Sequence, residues 1–216
     1  MKGIGEGIRR TEDDRLVRGA GSFADDLTFE NTAYAVFVRS PHAHARIVKL
    51  DVTGARAHPG VLAVLTGEDV ASAGIVPIPH NIGSSGAGAD VPLANTDGSE
   101  RARTPHHALP SDKVRFVGEA FAAVIAESVD IAKDAIDLID VEWDELDAVV
   151  RATEAAGHGG PQLWTHVSDN LALEAVIGDL EATEAAFAKA PHRVSFTGHV
   201  QRVTGAHGAA RRGRRT

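Results

Sequence analysis

Apolar residues fall along this chain in two rhythms. From Phe116 to Ala126 they run almost unbroken, rich in the β-favouring Val117, Phe121, Val124 and Ile125, and the run is too short to span a membrane. A run of this kind predicts a strand covered on both faces. Ser128 then offers an N-cap, and Asp130 puts a carboxylate in the first turn, where the helix dipole favours it. Ile131, Ala132, Ala135, Ile136 and Ile139 return at helical spacing, opposite Lys133, Asp134 and Asp137. Val141 and Trp143 alternate with Glu142 and Asp144, which predicts a half-buried strand. Strand, helix and strand between Lys113 and Leu146 are thus the predicted core.

The same reading extends in both directions. Residues 1–32 are expected to be an extended arm, because glycines at 3, 5, 7, 19 and 21 interrupt any helix and charged residues crowd positions 9–18. Tyr34–Arg39 and Arg46–Asp51 read as strands joined by Ser40-Pro41-His42-Ala43-His44-Ala45. Thr53–Ala57 reads as a short helix closed by His58-Pro59-Gly60, and Val61–Leu65 as another compact strand. From Ala73 to Ser111 the composition turns to Pro, Gly, Ser, Ala and Asn, which predicts a long loop of the kind that is disordered or meets a partner. Beyond a connector at Thr153–Pro161, Leu171–Ile177 reads as a strand, Gly178-Asp179 as a turn and Leu180–Lys189 as a helix with an acidic start. His192–Val203 reads as a last alternating strand. This final unit has too little apolar surface for a core of its own.

Composition narrows the function classes. At 216 residues and 43% hydrophobic, the chain is long enough to bury a core. A net charge of −8 argues against nucleic acid as partner. The basic end, with Arg211, Arg212, Arg214 and Arg215, does not change this, since the rest is then more acidic still. Without cysteine there is no iron–sulfur cluster, no Cys-type zinc site and no disulfide. The start carries no signal-peptide h-region and no stretch is long enough for a membrane span, so a cytoplasmic location is expected.

Candidate chemistry is sparse. Gly3-Ile4-Gly5 lacks the preceding strand that a dinucleotide loop needs, and the glycine-rich 84–89 stretch lacks the Gly-Lys-Ser/Thr ending of a phosphate loop. His42 and His44, two residues apart, would share one side of a strand as metal ligands do, but a third ligand cannot be assigned among His80, His106, His107, His192 and His199. Glu119, Glu127, Glu142 and Glu145 are available acid/base groups, yet Glu142 is accounted for as the polar face of a strand and Glu127 as a strand end. There is neither a Gly-x-Ser-x-Gly elbow nor a cysteine nucleophile. The residues alone assign no catalytic, cofactor-binding or metal position.

Three segments taken together resemble a known family. They are Arg10-Thr11-Glu12-Asp13-Asp14-Arg15-Leu16-Val17-Arg18-Gly19 with Ser22-Phe23-Ala24-Asp25-Asp26; Arg39-Ser40-Pro41-His42-Ala43-His44-Ala45-Arg46-Ile47 with Leu65-Thr66-Gly67-Glu68-Asp69-Val70; and Val114-Arg115-Phe116-Val117-Gly118-Glu119-Ala120 running into Val124-Ile125-Ala126. In that order the chain resembles the start of the molybdenum-binding large subunit of the xanthine dehydrogenase/aldehyde oxidase family, which includes aerobic carbon monoxide dehydrogenase.

The resemblance implies an α+β fold: an α/β hammerhead domain with a mixed sheet and packed helices over 18–150, with its long loop at 73–111. An extended arm at 1–17 precedes it, and 151–205 begins a molybdopterin-binding domain. The intact enzymes hydroxylate aldehydes, purines or other heterocycles, or oxidise carbon monoxide, with electrons leaving through iron–sulfur and flavin subunits or domains. The residues that hold the molybdenum cofactor and act as base lie downstream of anything present, so no role is carried over. The expectation is a truncated fragment, inactive alone and binding no cofactor. The alternative is a non-catalytic module that docks on an iron–sulfur subunit. The resemblance also implies an origin for the aberrant basic tail at 206–216. Relatives continue after Arg-Val-Thr-Gly with one or two hydrophobic residues and then Met-Glu-Pro-Arg-Ala-Ala. With third bases free, codons for His207 through Arg215 can be written that read, one base later, Met-Glu-Pro-Arg-Ala-Ala-Val-Gly-Glu. A frameshift at about Ala206 is therefore expected, with a disordered tail as its product.

Overall fold

Among the described residues, six strands divide between two sheets. The computed structural model describes residues 5, 7, 10–21, 29–78, 95–156, 159–167, 169–176 and 178–198. The chain forms two compact units, Ala33–Arg193 and a second made of 1–32 with 194–216. In chain order the elements are α1 (Asp13–Val17), β1 (Tyr34–Arg39), β2 (Ala45–Asp51), α2 (Thr53–Ala57), β3 (Val61–Thr66), α3 (Gly67–Ser72), β4 (Lys113–Val114), β5 (Ala120–Ala126), α4 (Val129–Ile136), β6 (Asp140–Glu145), α5 (Ala152–Ala155) and α6 (Leu180–Lys189).

One sheet has the order β1-β5-β3 and the other β4-β2-β6. The α+β class holds, but the expected mixed sheet does not: every pair between the named strands is antiparallel. The reason lies in the connections. β1 and β2 are consecutive yet enter different sheets, and so are β5 and β6, so α4 links two sheets and never bridges parallel neighbours in one.

β5 is the central strand of its sheet, and Phe121 through Val124 and Ala126 are buried. On one side Val64, Val124 and Ala126 pack with Ala132 and Ala135 of α4 and Ala55 of α2. Ser128 caps α4, its hydroxyl accepting from the Ile131 amide at 3.2 Å. Phe121 and Ala122 also join Ala45 and Val114 of the second sheet, and Trp143 meets Phe121 edge-on with ring centroids 5.1 Å apart. β5 therefore serves both cores.

The strand expected from Phe116 begins later. Phe116 through Glu119 form a turn with Gly118 at φ +85°, a conformation that suits glycine. Its backbone is tied to the end of β1: the Gly118 amide donates to the Ser40 carbonyl, and the Ser40 amide to the Glu119 carbonyl. Phe116 and Val117 are exposed.

Other boundaries also moved. The arm expected at 1–17 contains α1, whose ends are charge-paired by Arg10–Asp13 at 3.0 Å and Arg18–Asp14 at 2.9 Å. α3 was not expected, and it is started by a capping box in which the Thr66 hydroxyl and the Asp69 carboxylate exchange hydrogen bonds with each other's backbone amides. The connector at 153–161 opens with α5. The strand expected at 171–177 joins no sheet in its described part, 171–176, which bonds instead to the far end of the long loop, Ala102 amide to Ala172 carbonyl and Thr96 amide to Glu174 carbonyl, both at 2.9 Å. The strand expected at 192–203 is absent from its described part, 192–198, where Val194 and Phe196 are 92% and 91% exposed. α6 forms as expected, with the Asp179 carboxylate capping it at 2.8 Å, yet none of its residues is buried.

Candidate functional site

Strand register on the second sheet gathers the chain's most unusual side chains. Ala45 pairs with both Val114 and Glu145, and Arg46 with both Lys113 and Asp144. Ala45 and Val114 turn into the core, so alternation assigns Arg46 and Lys113 to the opposite face. The backbone contact continues one step further, the Leu146 amide donating to the His44 carbonyl at 2.9 Å, which places His44 and Arg115 beside that same face.

His44 is 5% exposed. Its Nδ1 lies 2.7 Å from the Asp147 carbonyl and must carry the hydrogen, leaving Nε2 buried with no partner among the described residues. Burial pushes its pKa below the usual histidine value, and the nearby charges of Lys113, Arg115 and Arg46 push the same way, against the Asp147 carbonyl. Lys113 is also held below its ordinary value, first by burial and then by Arg115.

A short segment covers these cations. Lys113 Nζ donates to the Leu163 carbonyl at 2.8 Å, and the Arg115 guanidinium sits 3.9 Å from the Trp164 ring centroid. Arg115 also donates to the Lys113 carbonyl at 2.8 Å and reaches Asp112 at 3.4 Å, while its Nε is buried with no partner among the described residues. Asn170 pins the segment from behind, accepting from the Leu163 amide and donating to the carbonyls of Ala155 and Pro161. Sequence reasoning missed Trp164, Lys113 and Asn170, the first two because their partners lie about 50 residues away and Asn170 because it ties together an irregular loop with no periodicity to read. Asn170 carried one signal, a residue type that tolerates the left-handed φ of +57° it adopts.

The other candidates are dispersed. His42 does not join His44: the Ser40 hydroxyl closes a tight turn onto the His42 amide at 3.0 Å, so the two follow a bend and not a strand. His42 instead meets Trp143 at 5.3 Å and Glu145 at 3.5 Å. His106 lies 6.1 Å from the Phe116 ring, and His107 and His192 are exposed. Glu119 is buried and its carboxylate accepts from the Arg115 amide at 2.5 Å, closing the turn before β5. Glu142 and Glu145 are exposed on β6, and the Glu127 amide donates to the Gly60 carbonyl. Among the described residues no group of three or more His, Asp or Glu is placed to hold a metal ion. His80, His199, the 84–89 glycine-rich stretch, Gly3 and Ile4, and the arginine tail lie outside the described residues. An open cleft of about 320 Å³ is lined by Asn95, Thr96, Asp97, Asp169, Leu171 and Glu174. No helix among the described residues is long and apolar enough to cross a membrane.

The described chain thus offers a basic, covered sheet face and an acidic open cleft, with no assembled reaction centre. Comparison with known proteins supplies what the geometry leaves open. The model of the aldehyde oxidase and xanthine dehydrogenase a/b hammerhead domain matches residues 18–85 and 85–147. The chain belongs to this family. Within it, the chain is 35% identical over 205 residues to the nicotine 6-hydroxylase large subunit of Paenarthrobacter nicotinovorans, covering 94% of this chain and 23% of that one. It is 34% identical over 145 residues to the xanthine dehydrogenase molybdenum-binding subunit of Escherichia coli O157:H7, covering 65% of this chain and 17% of the relative. Among solved structures, reconstituted CO dehydrogenase from Oligotropha carboxidovorans aligns with a TM-score of 0.65 at 31% identity, over 88% of this chain and 23% of that one. The chain therefore spans less than a quarter of these hammerhead relatives.

Proposed function

We propose that this chain is the N-terminal hammerhead part of the large subunit of a molybdenum-dependent hydroxylase or dehydrogenase, and that it performs no chemistry alone. The intact enzyme would act on an aldehyde, a purine, another heterocycle or carbon monoxide, in the cytoplasm, with iron–sulfur and flavin subunits carrying electrons away. The observation that carries the reading is the match to a hammerhead model across both sheets, within relatives more than four times as long.

A molybdopterin cofactor would bring the redox-active metal to the intact subunit. The described residues of this chain do not fit it. The open cleft is lined by three carboxylates, Asp97, Asp169 and Glu174, which repel a phosphate-bearing pterin. The basic side chains Lys113 and Arg115 are covered by Leu163 and Trp164. Domain order follows the same reading: an arm at 1–17, the hammerhead at 18–150, the opening of the cofactor-binding domain at 151–205 and a basic tail at 206–216. Elemental analysis of the purified chain tests it. No stoichiometric molybdenum or iron is expected, and about one molybdenum per chain would overturn the reading.

A second reading, a module that docks on an iron–sulfur subunit without catalysis, draws on α6. This helix of ten residues exposes Leu180 and Phe187 and buries nothing, whereas helices this short are marginal in water without tertiary packing. Co-purification with a tagged iron–sulfur subunit distinguishes the two, since the docking module binds it without the rest of the large subunit.

A further inference from the structure

We propose that Pro161–Val167 is a pH-released strap, held shut over the basic face of the second sheet only while His44 is neutral. The strap rests on Lys113 through the Leu163 carbonyl and on Arg115 through the Trp164 ring. These two cations, with Arg46, are the charged neighbours of His44. The ring of His44 already uses Nδ1 to donate to the Asp147 carbonyl, so a second proton must go to Nε2. That nitrogen is buried and has no acceptor in the described structure.

Protonation therefore creates a buried N–H with no partner, on a cation beside three others. Each of these is unfavourable alone. The surrounding carboxylates do not relieve it, because they are engaged elsewhere: Asp144 pairs with Arg46 at 3.1 Å, Asp112 meets Arg115 at 3.4 Å, Glu119 accepts from the Arg115 amide, and Glu145 lies against His42. The strap itself brings no charge in its contacts with Lys113 and Arg115, only a carbonyl and an aromatic face. His166, the titratable group within it, is turned to the Arg103 carbonyl at 2.6 Å.

Lifting the cover from Lys113 and Arg115 lets water screen the charges beside a protonated His44 and so lowers its cost. Opening also gives Lys113 a full water shell in place of one carbonyl. The consequence is directional. Above the ordinary histidine pKa the strap is shut; as pH falls below it, the open form gains the proton and its population rises. With an open-state pKa of about 6.5, the opening equilibrium rises between pH 7.5 and 5.5 by at most about tenfold. Lifting the strap exposes Lys113, Arg115 and Trp164 together, converting a covered face into one that attracts anions.

Hydrogen exchange of the full 216-residue chain at pH 7.5 and 5.5, corrected for intrinsic exchange rates, reads this out. The Leu163 and Val167 amides, bonded to Asn170 and to the Trp164 carbonyl, should lose protection at the lower pH, by up to about tenfold, while Ala122–Val124 in β5 should not change. His44→Gln should remove that pH step. Equal protection of the strap at both pH values overturns the proposal, and so does a step that survives in His44→Gln. If this variant does not protect β5, ring-nitrogen NMR of the unmodified chain decides. A His44 ring that stays neutral until strap protection falls supports the strap, and a ring that titrates near pH 6.5 with the strap still protected sinks it.

Discussion

Replacing Gly67 by alanine separates a packing effect from a backbone one. Gly67 is the first residue of α3, it is buried, and its φ is not in the left-handed region. Local reasoning alone makes Gly67→Ala favourable, since alanine restricts the unfolded chain by about 0.4–1 kcal/mol where the native conformation suits it. The tertiary structure reverses the sign. A Cβ at this position would stand 2.7 Å from the Pro110 carbonyl carbon and the Ser111 amide nitrogen, and 2.8 Å from the Leu109 carbonyl oxygen. Comfortable carbon contacts lie near 3.5–4.0 Å, so the loop would have to retreat by roughly 1 Å. These are backbone atoms between buried Leu109 and Pro110, and they cannot swing aside as a side-chain tip does. Overpacking of this kind costs about 1–3 kcal/mol, so a net loss of about 1.3 kcal/mol is expected after the entropic gain. For a chain of this size that lowers Tm by about 3–5 °C. Urea denaturation followed by circular dichroism measures it, with Gly160→Ala as the control. There the nearest atom, the Glu154 carbonyl oxygen, is 3.9 Å away, and the midpoint should barely move. An unchanged or raised midpoint for Gly67→Ala would refute the close approach of α3 to the end of the long loop.

Three further outcomes follow from the geometry. Val124→Asp puts an unpaired carboxylate at a fully buried position in the central strand and should cost several kcal/mol, of the order of a small domain's whole stability, so a variant melting within a few degrees of the parent would contradict the burial of β5 on both faces. Asn170→Ala removes three side-chain hydrogen bonds worth about 1 kcal/mol each and strains a residue at φ +57°, whereas Asn170→Gly loses only the bonds; glycine should therefore melt above alanine, and the reverse order would deny the strain. Asp69 lies below its ordinary pKa of 3.8 because the Thr66 hydroxyl and amide donate to it. With the folded value depressed, the contribution of Asp69 is complete above about pH 4 and fades as pH falls through the folded value. Thr66→Ala should cost about 1 kcal/mol near neutrality and less at pH 2.5, by chemical denaturation at both pH values.

What the sequence disclosed depended on how local each cause was. Ser128, the helical spacing of Ala132 and Ala135, and the unbroken run into Ala126 all state their roles within a dozen residues, and α4 and the Ala120–Ala126 part of the expected strand formed accordingly. The Thr66-x-x-Asp69 capping box was equally local and was overlooked. Leu171–Ile177 reads as a strand, but in its described part the backbone partners are Asn95 to Ala102, which offer side chains and isolated amides in place of a ladder. Phe116 and Val117 looked like strand until Gly118 is read as the turn it makes. The character of His44 was invisible for a different reason: its tautomer is set by a carbonyl 103 residues away, and its covered neighbours by Leu163 and Trp164.

The partition of neighbouring strands between two sheets also governs how the chain can be made. Among the described residues β1 pairs with β5 and β2 has its long partner in β6, so neither sheet can close until residues 126 and 145 exist. At synthesis rates of about 5–20 residues per second, the Tyr34–Arg39 strand waits roughly 4–18 s before β5 is complete. During that interval Val36, Phe37 and Val38 are open to any other unpaired edge. The nascent chain therefore passes through a window of vulnerability that no local stabilisation of either half shortens, and slower translation across the long loop would prolong it.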